Sequence, residues 1–136
     1  MKHTAFSLAL LVCAANLFFA GNMSAATQKD IVGPVGSDNF GTSVTVLPNG
    51  NIVVTDPFYD APGLITDVGA VHLYNSAGAL LSTLTGSAPD DRIGFEGVTV
   101  LTNGNYVVRS AFWNNGAAVD AGAVTWCSAT VGCSAK

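Results

Sequence analysis

The chain has 136 residues, of which 49% are hydrophobic and only 10% charged, with five Lys and Arg against nine Asp and Glu. A net charge of −4 with so few bases argues against a nucleic-acid partner, because that affinity rests on neutralising phosphates. The same scarcity removes the polybasic stretch that an anionic membrane surface attracts.

The first element in chain order is a processing signal. Lys2 opens a short positive start, an apolar run follows over 5–20, and Ser24-Ala25-Ala26 supplies the small residues of a cleavage site, so a signal peptide over 1–26 is expected, with cleavage after Ala26. A membrane anchor is the rival reading. The run is shorter than the roughly 20 residues a bilayer needs, and Asn16 interrupts it. Bulky Val12 before Cys13 disfavours a lipoprotein signal. Export to the cell surface or medium follows, with no membrane span after processing. About 110 residues remain, enough for one small domain.

The rest of the chain says one thing twice. Val44-Thr45-Val46-Leu47-Pro48-Asn49-Gly50-Asn51-Ile52-Val53-Val54 returns as Val98-Thr99-Val100-Leu101-Thr102-Asn103-Gly104-Asn105-Tyr106-Val107-Val108. Asp67 and Gly69-Ala70-Val71 return as Asp120 and Gly122-Ala123-Val124, while Gly33, Asp38 and Gly41 return as Gly86, Asp91 and Gly94. A fixed period of this length marks blades or solenoid coils. Strands are predicted over 44–47, 52–54, 70–74 and 80–85 in the first unit, and over 98–101, 106–108 and 123–126 in the second. Asn49-Gly50 and Asn103-Gly104 are read as hairpin turns in which both residues take positive φ. Ile31-Val32-Gly33 matches Leu84-Thr85-Gly86, so an outer strand without a blade of its own is expected near Ile31. Apolar residues on both faces of the strands suit sheets packed on each side. The expected fold is all-β: two four-stranded antiparallel, propeller-like blades, the second incomplete. The first, with its N-terminal strand, covers 27–85 and the truncated second 86–136. Complete propellers have about four to eight blades.

Asp38-Asn39-Phe40-Gly41, Asp56-Pro57 and Gly69-Ala70-Val71-His72-Leu73-Tyr74 resemble an FG-GAP repeat, the blade motif of integrin-α-type β-propellers. The second block, with Phe112-Trp113-Asn114 and Asp120 to Trp126, looks closer to tandem repeats of unassigned function in bacterial secreted, haemagglutinin-like surface proteins. The resemblance covers nearly all of the processed chain and implies fold more than function. Departures are Asp56-Pro57 and Ser110-Ala111 where the motif has Gly-Ala-Pro, and Ile93-Gly94 for Phe-Gly. Related blades often carry an acidic calcium loop between their first two strands. Here 48–51 and 102–105 hold no carboxylate, and calcium asks for several charged oxygens, so no metal or other cofactor is expected.

Asp67 and Asp120 read as turn residues whose carboxylates bind nearby amides, or else as ligands at a loop end. His72 reads as structural. Asp90-Asp91 and the pair Asp56 and Asp60 invite acid–base chemistry, but adjacency does not place two carboxylates with divergent pKa values in one cleft, and no catalytic residue is assigned. Cys127 and Cys133 have five residues between them. They are expected to be bridged across a hairpin loop, contributing roughly 2 kcal/mol, the alternative being two free thiols. Phe58, Tyr59, Phe112 and Trp113 recur in the long loops, either as packing anchors or as an aromatic patch for a protein or glycan. The functional expectation is a secreted, non-catalytic structural or adhesive repeat that associates with itself or with neighbouring repeats. The alternatives are a fragment of a propeller enzyme and a calcium-stabilised adhesin.

Overall fold

The computed structural model describes residues 28–63 and 65–133; the leader assigned to 1–26 lies outside them. Seven strands follow in order: β1 (Ser43–Val46), β2 (Ile52–Asp56), β3 (Ala70–Tyr74), β4 (Leu80–Thr85), β5 (Val98–Val100), β6 (Tyr106–Ser110) and β7 (Ala123–Cys127). They form two antiparallel meanders, β1-β2-β3-β4 and β5-β6-β7, which do not close on each other. The described residues include no helix. Each sheet is one repeat, and the second lacks an outer strand among the described residues.

Alternation sorts each sheet into two faces. In the first, Val44, Val54 and His72 stand in one row and Val46, Ile52 and Tyr74 in another on the same face. Thr45, Val53 and Leu73, with Thr55 and Val71, point the other way. That second face packs on the second sheet. Val53, Val71 and Leu73 share one core with Ile93, Tyr106, Val108 and Cys127. Tyr106 and Val108 are the repeat counterparts of Ile52 and Val54. Unlike faces therefore meet, as in stacked blades, and each unit borrows its neighbour's surface to bury its own.

The seam is also sewn by backbone. Gly69 and Ile93 form a parallel bridge. Arg92 N–H donates to Asp67 O at 3.1 Å, and Ile93 N–H to Val68 O at 3.0 Å.

Two expectations change. Ile31 and Val32 lie in no strand; Ile31 instead lies near Gly78 and lines a hollow with Ile52 and Val54 of the first sheet. The Asn-Gly hairpins are not two-residue turns either. Gly50 N–H donates to Leu47 O at 2.9 Å and Leu47 N–H to Asn51 O at 2.8 Å, a three-residue loop ending in a glycine bulge. Only Gly50 (φ 84°) and Gly104 (φ 85°) take positive φ, and Asn49 and Asn103 do not. Pro48 explains this in the first unit, since its fixed φ suits the second position of an ordinary type I turn. Replacing Gly50 or Gly104 with Val should cost at least about 1 kcal/mol, because a β-branched side chain resists positive φ. Unchanged urea midpoints for both variants would refute it.

Candidate functional site

The polar residues that recur do structural work, by a different route from the one the sequence suggested. Asp67 and Asp120 both sit at φ 51°, a conformation that Asp tolerates better than most residues. Their backbone N–H groups are the ones held: Asp67 N–H donates to Asp60 Oδ1 at 2.9 Å, and Asp120 N–H to Asn114 Oδ1 at 3.0 Å. The long loops of the two units are thus closed by equivalent bonds from Asp60 and Asn114. The turn asparagines do likewise, Asn49 Oδ1 accepting from Asn51 N–H and Asn103 Oδ1 from Asn105 N–H, at 3.0 and 3.1 Å.

The same turns also hold the chain after β7. Asn49 Nδ2 and Asn51 Nδ2 both donate to Ala129 O, at 2.9 and 2.8 Å, while Ala129 N–H donates to Asn105 Oδ1 at 3.0 Å. One residue is gripped by a turn from each sheet. It lies inside the small loop that the Cys127–Cys133 disulfide closes. Tyr106, buried beneath with its hydroxyl 3.8 Å from Cys133 Sγ, has its pKa raised to about 12 by burial.

Asp91 is fully buried. Its Oδ2 accepts from the Ser87 and Ala88 amides at 2.9 and 3.0 Å, and its Oδ1 from the Asn114 amide and Asn114 Nδ2 at 2.9 and 2.8 Å. Asp38, its counterpart, is exposed. The difference follows from the partner: position 114 is an amide that can donate, whereas Asp60 stands at the matching place in the first unit and cannot.

His72 and Asp56 are buried on one face of the first sheet. His72 Nδ1 lies 3.0 Å from Thr83 Oγ1, and Asp56 Oδ1 accepts from Asn39 N–H at 3.1 Å. His72 Nε2 and Asp56 Oδ2 have no partner among the described residues. Phe40, Tyr59 and Tyr74 surround the imidazole, with ring centroids 5.7 to 6.3 Å from it. Burial lowers its pKa below the ordinary 6.5, against the opposing charge of Asp56. The unfolded chain therefore takes up a proton before the native one, so stability falls as pH drops through 6.5 towards the folded value. Melting temperature should decline from pH 7.5 to 5.5, and His72→Thr, the residue found at position 125, should flatten that decline. An equal slope in the variant would refute it.

The four loop aromatics do not form a single patch. Tyr59 turns towards His72, and Trp113 packs on the inter-sheet core. Phe58 and Phe112 come together across the seam. Each flanks Phe95 edge-on, at 6.1 and 5.3 Å, and the Arg92 guanidinium lies 5.7 and 5.6 Å from their ring centroids. Arg92 also reaches Asp90 at 2.9 Å, an exposed pair worth little by itself. Arg92 and Phe95 escaped the sequence reading. The available signal was the extra residue in the second unit: Phe95-Glu96-Gly97 separates Gly94 from Val98, where Thr42-Ser43 separates Gly41 from Val44. Glu96 Oε2 accepts from Ala111 N–H at 2.9 Å, so the insertion also anchors the loop that carries Phe112. No group of three His, Cys, Asp or Glu able to hold a metal exists among the described residues. Nor does any helix there have the length and apolarity to cross a membrane.

A tandem β-repeat whose recurring polar side chains close turns, and whose units stack by unlike faces, is the class these features define. The chain belongs to the family of the repeat of unknown function DUF5650, whose model matches residues 46–95 and again 100–136. No curated protein and no solved structure gives a match.

Proposed function

We propose that the chain is an exported, non-catalytic repeat protein of the β-propeller type, with a structural or recognition role at the cell surface or outside the cell. One observation carries the reading: matched polar side chains at the turns and in the long loops of the two units bind backbone amides within the fold. Asn49 and Asn103, and Asp60 and Asn114, act in matched pairs on amides, which is the work of a scaffold. The resemblance to FG-GAP repeats and to haemagglutinin-like arrays supports the same role. The surface offered for recognition is Phe58, Phe95 and Phe112 with Arg92. Apolar edges and a flat cation suit a sugar face or a peptide side chain.

Expression of the full chain in a secreting bacterial host tests this. The exported form should begin at Thr27 and bind a cell-envelope preparation or a glycan array. Phe95→Ala, at an exposed position, should weaken that binding roughly tenfold, the effect of losing an aromatic anchor. Material retained inside the cell with Met1 intact would overturn export, and binding indifferent to Phe95 would overturn the recognition surface. Chelator should leave the melt unmoved, whereas a lowered melting temperature would favour a calcium-stabilised adhesin.

A further inference from the structure

We propose that copies of this chain dock head to tail, the outer face of the second sheet of one copy covering the outer face of the first sheet of the next. The proposal rests on the repeat reading above and names the neighbour: a second copy of the same chain.

The warrant is an interface the molecule already contains. On the first sheet Val53, Val71 and Leu73 are at most 1% exposed, because the second sheet covers them. Their counterparts on the second sheet are Val107, Val124 and Trp126, in the same register, since Val53 faces Leu73 and Val107 faces Trp126 across their ladders. Yet Val124 is 69% and Trp126 57% exposed. The complementary surface is open in part: Val44 and Val46 are exposed, while Val54, His72 and Tyr74 on the same face are already buried. Val98, Tyr106 and Val108 pack into the inter-sheet core, while their counterparts Val44, Ile52 and Val54 line an open hollow of about 400 Å³ with Phe40, Gly41 and the chain's own Lys29, Asp30 and Ile31, which a docking copy would have to meet or displace. Val44 is 60% and Val46 67% exposed.

Each half of the internal joint is thus present once more, open at least in part, on the two outer faces. Isolated exposed apolar residues are ordinary, but matched faces of this kind mark an interaction surface.

Two details fit the second joint. The internal one sets Leu73 in a core with Tyr106, a small residue beside a large one. The external one would set Trp126 beside Ile52, so bulk moves from one partner to the other. Gly94 reports how closely the faces approach: a Cβ built there would lie 2.6 Å from Val71 Cγ2 and 3.3 Å from Thr55 Cβ. At Gly41, its counterpart, such an atom meets nothing within 4 Å. That clearance is where Val124 of the next copy would come. Unlike faces give a heterologous contact, which closes into a ring when the rotation per copy allows. Two or three chains would then supply four or six blades.

Sedimentation of the processed chain across micromolar concentrations should show a discrete species of two or three chains. Trp126→Glu blocks one face and Val46→Glu the other; both positions are exposed, so each variant should keep the wild-type circular dichroism and melt. Each alone should be monomeric. Mixed in equal amounts they should form a one-to-one dimer, since each retains the face the other lacks. A wild type that stays monomeric, variants that assemble as the wild type does, or a mixture that stays monomeric would each overturn the proposal. A monomeric wild type that is still exported and still binds envelope through Phe95 leaves the repeat reading standing, which separates the two failures.

Discussion

Replacing Gly69 with Val should reduce stability by about 3–5 kcal/mol, a large share of the 5–15 kcal/mol typical of a domain. Two independent costs combine. Gly69 sits at φ 72°, where a residue with a Cβ loses roughly 1–2 kcal/mol. The added carbon would also fall 2.2 Å from Ile93 N and 2.6 Å from Arg92 C and Ile93 O. These are backbone atoms, so no side chain can swing aside. The strands must part at the seam, and with them go the bonds from Ile93 N–H to Val68 O and from Arg92 N–H to Asp67 O, each worth about 1 kcal/mol net. Gly63 is the control. At φ 91° with nothing within 4 Å, its Ala variant should lose only the conformational part, about 1 kcal/mol. Urea midpoints decide, and equal losses at the two sites would show that the seam does not depend on close backbone approach.

Asp91→Ala should be nearly as severe, at about 3–5 kcal/mol, because removing an acceptor leaves each dependent donor with a desolvation cost of roughly 1–3 kcal/mol. Four bonds from Ser87, Ala88 and Asn114 converge on this carboxylate. Asp91→Asn is informative beside it, since one oxygen is exchanged for a donor that faces amide N–H groups. Asp38→Ala, at the equivalent exposed position, should change the midpoint little. Amide exchange at 87, 88 and 114 should accelerate in Asp91→Ala before the strands open. Protection unchanged there would mean that the carboxylate is not what holds the two loops together.

Much of this fold is legible in the residues. The recurrence of Val-Thr-Val-Leu and of Asn-Gly-Asn places the strands to within a residue or two, and apolar side chains on both faces announce stacking. The turn type is less legible, because Asn-Gly suits several loops and only Pro48 in the preceding position argues for the longer one. The split fate of the aromatics is hidden altogether. Phe58 and Tyr59 are neighbours in sequence, yet one meets Arg92 across the seam and the other turns towards His72. Asp38 and Asp91 also look equivalent until positions 60 and 114 are compared as their partners. A carboxylate is buried where an amide can donate to it and stays in water where a second carboxylate stands instead.

The grip on Ala129 bears on the order of events during folding. Asn49 reaches a carbonyl 80 positions further along the chain, so the first hairpin cannot be completed until Ala129 is in place. Its strands can pair early, since β1 and β2 are local, but its turn acquires its last partner only when Ala129 docks. Contacts of such long range form slowly. A species with both sheets formed and Ala129 still free should therefore build up transiently, and the thiols of Cys127 and Cys133 should be open to alkylation until it closes. The loop that the Cys127–Cys133 disulfide closes would then lock the sheet that was made first.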